Sequence, residues 1–217
     1  MNLAYALQPP LVAILRGLPA VDAVAIGHAL FDAGLRWLEV PLNRPGALAC
    51  IGALSAIAPA DALVGGGTML SVADVDAVHA AGGRLMVSPN CNPAVIERAV
   101  ALGMLCVPGV GTASEAFVAL HCGAHALKLF PAEVWGPRGL KALKAVLPDG
   151  TPLWPVGGIT PESLPEWVAA GATGFGIGSA VYRPGASAGE VHKQASIFVA
   201  AWQAARRIPG KTEDTAA

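Results

Sequence analysis

Three charged residues interrupt runs that are otherwise apolar and rich in strand formers: Arg16 closing VAILRG, Glu39 inside WLEVPLN, and Lys128 inside ALKLFP. Side chains alternate in direction along a strand, so Leu127 and Leu129 share one face and Lys128 takes the other. Glu39, between Leu38 and Val40, repeats the arrangement. Only 13% of the chain is charged, and a charge in an apolar strand is costly unless it is paired. One reading is a structural ion cluster. The other follows from desolvation, which lowers a lysine pKa and frees an amine that attacks carbonyls. A neighbouring carboxylate then moves protons, and an arginine clamps a carboxylate by two hydrogen bonds. Nucleophile, proton shuttle and anion clamp together describe Schiff-base chemistry on a keto acid.

A second group of residues suits an anion. Two late runs end in VGGIT and GIGS. Glycines there let backbone N–H groups approach a phosphate, and a following helix start adds a favourable dipole. Gly157, Gly158, Gly178 and Ser179 are the candidates; the alternative is that the glycines only make tight turns. A third glycine run, GGGTM, ends in Thr68, whose hydroxyl suits the carboxylate end of a substrate.

The elements that must position these groups repeat along the chain. Strand-like runs cover 12–17, 37–43, 62–69, 84–90, 105–111, 126–132, 152–160 and 174–182. Between them lie segments with helical periodicity and helix-start chemistry: Ser71 with Asp74, Thr112 with Glu115, Asn92-Pro93 and Thr160-Pro161. Strands alternating with helices predict a parallel sheet with crossovers. Eight units predict a closed (β/α)8 TIM barrel formed by residues 1–217 as one domain, with a short helix at the N-terminus. In such a fold the chemistry collects at the carboxyl ends of the strands. No G-x-G-x-x-G opens the first unit, against a dinucleotide site.

Composition narrows the classes further. A formal charge of −1 argues against nucleic acid or an acidic membrane as partner. Apolar stretches are broken before they reach a membrane span, and MNLAYALQPP lacks the basic start of a signal peptide. The expectation is a cytoplasmic protein whose surplus apolar surface meets another subunit. The cysteines Cys50, Cys91, Cys106 and Cys122 form no CxxC, so neither a disulfide framework nor a metal site is expected. Lys141 and Lys144, three apart, read as an ordinary solvated helix face.

VAILRG, WLEVPLN, GGGTM, VSPN, LKLFPAE, VGGIT and GIGSAVY resemble, in order and spacing, the 2-keto-3-deoxy-6-phosphogluconate / 2-keto-3-deoxy-6-phosphogalactonate aldolases. The resemblance runs from about residue 11 to about 205. It implies a class I, cofactor-free and metal-free lyase on a (β/α)8 barrel, assembled as a homotrimer and acting on a 2-keto-3-deoxy sugar-acid phosphate. It makes Lys128 the Schiff-base lysine and Glu39 the general acid/base. Arg16 and Thr68 would bind the pyruvoyl end, Pro89 would line the pocket, and Gly157, Gly158 and Ser179 would hold the phosphate. Asn43, where the phosphogluconate enzymes carry arginine, and Val156, where they carry threonine, resemble the phosphogalactonate branch of galactonate degradation. A phosphogluconate aldolase is the near alternative, and a phosphate-binding isomerase or synthase the remote one.

Overall fold

The computed structural model describes residues 10–207. Strands and helices alternate along them as β1 (Leu11–Ile14), α1 (Ala23–Asp32), β2 (Trp37–Pro41), α2 (Ala47–Ile57), β3 (Leu63–Gly67), α3 (Val72–Ala80), β4 (Leu85–Val87), α4 (Pro93–Ala101) and β5 (Leu105–Val107). There follow β6 (Gly109–Val110), α5 (Ala113–His121), β7 (Leu127–Leu129), α6 (Ala132–Lys144), β8 (Leu153–Pro155), α7 (Leu164–Ala169), β9 (Phe175–Ile177) and α8 (Ala188–Arg206). The expected N-terminal helix lies outside the described residues.

All pairings are parallel, but they form two sheets: a curled one of six strands, ordered β5-β4-β3-β2-β1-β9, and one of three, β6-β7-β8. The closed (β/α)8 barrel expected from the sequence is therefore corrected, because the hydrogen-bonded ring is interrupted twice. Proline accounts for both interruptions. Leu105 donates its N–H toward Arg84 on the β4 side, whereas Cys106 and Pro108 turn their carbonyls toward β7, accepting from Ala126 and Lys128. The Pro108 nitrogen faces β7 as well, and it has no hydrogen to give. The predicted run 105–111 thus splits, its first half pairing with β4 and its second with β7. At the other seam Leu153 accepts from Thr173 N–H at 3.2 Å, so alternation aims Pro155 at β9 as well. The missing donor leaves a single bridge, Val156 to Gly176.

Side chains join what backbone bonds do not. Leu11, Ala13, Leu38, Val40, Leu127 and Leu129 belong to the large core beneath the helices. The alternate residues Val12, Trp37, Leu63, Leu85, Ala126 and Trp154 form a second apolar cluster on the enclosed face. In it Trp37 of the six-stranded sheet meets Trp154 of the three-stranded sheet, ring centroids 5.0 Å apart. The helices are fixed by the start signals read from the sequence. Ser71 accepts from Asp74 N–H at 3.2 Å while the Asp74 carboxylate accepts from Ser71 N–H at 2.9 Å. Thr112 caps α5 and Asn92 caps α4, with Pro93 in the first turn. Thr160-Pro161 opens a 3-10 turn before α7 rather than a full helix. On α8, Val191, Ala195, Phe198, Trp202 and Ala205 form one buried stripe, the period a helix needs to cover a core.

The tryptophan contact bridges the two sheets and so sets how firmly they hold together. Trp154→Ala is expected to cost about 3–5 kcal/mol in a denaturant titration. Trp154→Phe, which keeps the ring and removes an indole N–H that has no partner, is expected to cost less than about 1.5 kcal/mol. Equal losses would mean that the part of the indole that phenylalanine lacks carries the contact.

Candidate active site

Among the described residues, Glu39 and Lys128 are the two charged side chains that are buried, 2% and 6% exposed. They come from opposite sheets, Glu39 from β2 and Lys128 from β7, and both point into the enclosed face, at the strand parity of Trp37 and Trp154. Burial holds the Glu39 carboxyl above its usual range, an effect opposed first by Lys128 and then by Arg16. Burial pushes the Lys128 ammonium below its usual range; Glu39 opposes this and Arg16 adds to it. The ion pairs within contact distance among the described residues are Arg36–Asp61 and Arg98–Asp76, both at the surface. Glu39 and Lys128 therefore act on each other through space without a direct salt bridge. A structural ion pair would make that contact; here the two opposite shifts move each group toward its neutral form instead. Lys128 Nζ also lies 4.8 Å from the centroid of the Phe130 ring.

Arg16 and Phe130 open from this pair into a cleft of about 780 Å³. From the predicted residues the cleft collects Arg16, Val156, Gly157, Gly158, Gly178 and Ser179, and it adds Arg44, Tyr182 and Arg183. No Asp or Glu stands among its described lining residues, so the charge of the lining itself comes from three guanidinium groups while the whole chain is close to neutral. Asn43 is exposed and lies outside the lining, its place taken by Arg44. Thr68 and Pro89 also fall outside the lining, at the ends of β3 and β4. Thr68 has φ 55°, a left-handed conformation that a β-branched side chain adopts only under strain, and such strain gathers at functional sites. The Pro89 peptide packs so closely on β6 that a Cβ at Gly109 would strike it.

Three features of the site escaped the reading of the sequence. Gly67 is one: a Cβ there would collide with the Glu39 carboxylate, because the two strands pair with Pro41 opposite Gly67. The GGG run was visible, and the offset between the second and third strands would have identified its last glycine as the bed of Glu39. Glu133, in the first turn of α6, is the second; its carboxylate rests against Gly157 and Gly158, which have φ 114° and 66°. The third is Arg183, four residues beyond Ser179.

The comparisons with known proteins agree with this geometry. Residues 5–195 match the family model for the KDPG and KHG aldolases. The chain belongs to that family. A curated member from Escherichia coli (strain K12), named 2-dehydro-3-deoxy-6-phosphogalactonate aldolase, is 46% identical over 196 residues, 90% of this chain and 96% of the relative. A solved structure described as native KDPGal has a TM-score of 0.90 at 46% identity, covering 92% of this chain and 97% of its own. A cube-shaped, highly porous cage designed by fusing symmetric oligomeric domains matches with a TM-score of 0.90 and 46% identity, over 92% of this chain and 74% of the cage chain. As a member of this aldolase family the protein is an enzyme, a lyase of carbon–carbon bonds.

Gly67→Ala tests the bed of Glu39. The added methyl group displaces the carboxylate, so turnover is expected to fall about 10²-fold or more, with a stability loss of about 1–3 kcal/mol. Retention of full turnover would show that the position of Glu39 over Gly67 does not matter.

Proposed function

We propose that the protein is a class I aldolase that splits 2-dehydro-3-deoxy-6-phosphogalactonate into pyruvate and D-glyceraldehyde 3-phosphate. The observation that carries this reading is the buried Glu39–Lys128 pair, held close without a salt bridge, in a chain of this family. Lys128 Nζ attacks the C2 ketone; a carbinolamine forms and loses water to give a protonated imine. Glu39 gives its proton to the departing carbinolamine hydroxyl and, now a carboxylate, accepts the C4 hydroxyl proton by way of water. The C3–C4 bond breaks, its electrons pass into the imine, and an enamine and the aldehyde result. Glu39 passes that proton to C3 of the enamine, and water hydrolyses the resulting imine to pyruvate and the free amine, the released proton returning to Glu39. The imine is itself the electron sink, so the chemistry asks for no metal or cofactor. Arg16 suits the substrate carboxylate, since its charge acts on both Glu39 and Lys128, and Thr68 and Pro89 border the same end. Gly157, Gly158, Gly178 and Ser179 suit the phosphate. Three arginines match a substrate that carries a carboxylate and a phosphate dianion.

The galactonate epimer is favoured over the gluconate one by Val156, which brings methyl groups to the cleft where a hydroxyl could bond the C4 hydroxyl. We also place the enzyme in the cytoplasm as a homotrimer. Among the described residues no helix is long and apolar enough to cross a membrane. Phe117, Val118, Val134, Trp135 and Val146 are exposed, apolar area that suits contact with further copies, as does the match to a cage built from oligomeric domains.

Pyruvate with borohydride is expected to leave a carboxyethyl group on Lys128, located by peptide mass, and Lys128→Met to take none. Imine formation needs the free amine, so trapping should rise with pH through a midpoint below the ordinary lysine value of 10.5. An unlabelled Lys128 would overturn the Schiff-base mechanism. For the epimers, Val156→Thr is expected to shift the ratio of kcat/KM about 3- to 10-fold toward the phosphogluconate substrate, the worth of one hydrogen bond; no shift would remove Val156 from the specificity argument.

A further inference from the structure

The glycine loops alone are a weak holder for a dianion. Phosphate sites of this kind draw on a helix dipole as well as on backbone N–H groups. Here Gly157 and Gly158 lead into a 3-10 turn, Pro161–Ser163, and then a helix of only six residues. Gly178 and Ser179 lead into a single turn, in which Val181 and Tyr182 donate to the Gly178 carbonyl at 2.9 and 3.1 Å, and no helix begins until Ala188. The Glu133 carboxylate beside Gly157 and Gly158 adds a negative charge. A phosphate placed on these loops therefore needs a cation that the backbone does not supply.

Arg183 is built for that task. Its Nε donates to the Ser179 carbonyl at 2.9 Å, which ties the guanidinium to the loop that carries the candidate phosphate residues. Its two Nη groups have no hydrogen-bond acceptor and no ion-pair partner among the described residues. The side chain lines the same cleft as Gly157, Gly158, Gly178 and Ser179. Two acids, Glu162 and Glu190, line the neighbouring cavity on its other side, but neither competes for it. The Glu190 carboxylate accepts from Ser187 N–H and Oγ at 2.8 and 2.7 Å, and neither acid makes an ion pair with Arg183 among the described residues. Gly178 fits the same picture: it has no positive φ, and a Cβ there would meet nothing within 4 Å. The protein's own packing does not demand glycine at that position, whereas close approach of an anion to the Ser179–Arg183 turn does.

We propose that Arg183 binds the substrate phosphate and selects phosphorylated over unphosphorylated sugar acids. With Nε committed to Ser179, the two Nη groups present a fork to two phosphate oxygens. Arg16, coupled to Glu39 and Lys128, serves the opposite end of the substrate.

The inference rests on the aldolase reading, and the experiment separates the two. Wild type, Arg183→Gln and Arg183→Lys are compared on 2-dehydro-3-deoxy-6-phosphogalactonate, on its unphosphorylated counterpart, and with inorganic phosphate as competitive inhibitor. Borohydride trapping of pyruvate on Lys128 is run alongside, to report on the fold and on the imine end of the site. Arg183→Gln is expected to lower the preference for the phosphorylated substrate about 10- to 100-fold, mainly through KM, and to weaken phosphate inhibition by a similar factor. Arg183→Lys should recover part of both. An unchanged preference with unchanged phosphate inhibition overturns the proposal, as does an equal loss on both substrates in a variant that still traps pyruvate. Failure of the wild type to trap pyruvate would instead sink the aldolase reading.

Discussion

Everything else in the site depends on two opposite charges buried near each other and kept apart. A contact salt bridge between Glu39 and Lys128 would pin the ammonium as an ammonium and the carboxyl as a carboxylate. Burial without contact does the reverse: desolvation dominates both residues and drives each toward its neutral form. The separation follows from the architecture, since the two side chains rise from different sheets. β2 and β7 lie on opposite sides of the enclosed face, and the Trp37–Trp154 contact sets the distance between the sheets near their amino ends. Gly67 then lays Glu39 flat against β3, where any side chain would displace it. The cost of burying the charges falls on the fold, and the large apolar cores on either face of the sheets offset it.

Alternation made the buried Glu39–Lys128 pair legible in the sequence. Leu127 and Leu129 do join the core under the helices, and Lys128 does take the other face. The helix starts at Ser71, Asn92 and Thr112 were legible for the same reason: each is a local hydrogen bond between residues two or three apart. What was not legible is non-local. The prolines 108 and 155 were in plain view, but the direction in which each nitrogen points depends on the parity of its strand and the identity of its neighbours. A closed ring was expected where a six-stranded and a three-stranded sheet meet. The strands also stop earlier than their apolar runs, so Arg16, Thr68, Pro89 and Ser179 stand in loops beyond the ladder. Register hid Gly67, and a hydrogen bond back across four residues hid Arg183.

The site divides its electrostatic work by distance from the buried pair. Near Lys128, where water is excluded, charges interact strongly and small changes of position move proton affinities. Farther along the open cleft Arg44 and Arg183 are solvated, and they act by attracting and orienting an anion, while Arg16 alone of the three also bears on the buried pair. For the substrate proposed above, anionic at both ends, such a cleft would hold the molecule by its ends and leave its ketone to the amine and its C3–C4 bond between amine and carboxyl. Binding energy gained from the carboxylate and the phosphate is then available for alignment at the reacting carbons.

Val156 sits where this division meets the fold. Its backbone forms the one bridge between the three-stranded sheet and β9, and a Cβ on Gly176 would press into its methyl groups. Those methyls also face the cleft beside Ile14. At this seam the β-branched side chain of Val156 packs against the bare Cα of Gly176, and threonine has nearly the same shape. The choice between them keeps nearly the same volume, but it decides whether a hydroxyl is presented at a buried site, where it needs a partner. On the proposed reading, this is the position where the seam sets the shape of the side chain and the cleft reads its polarity.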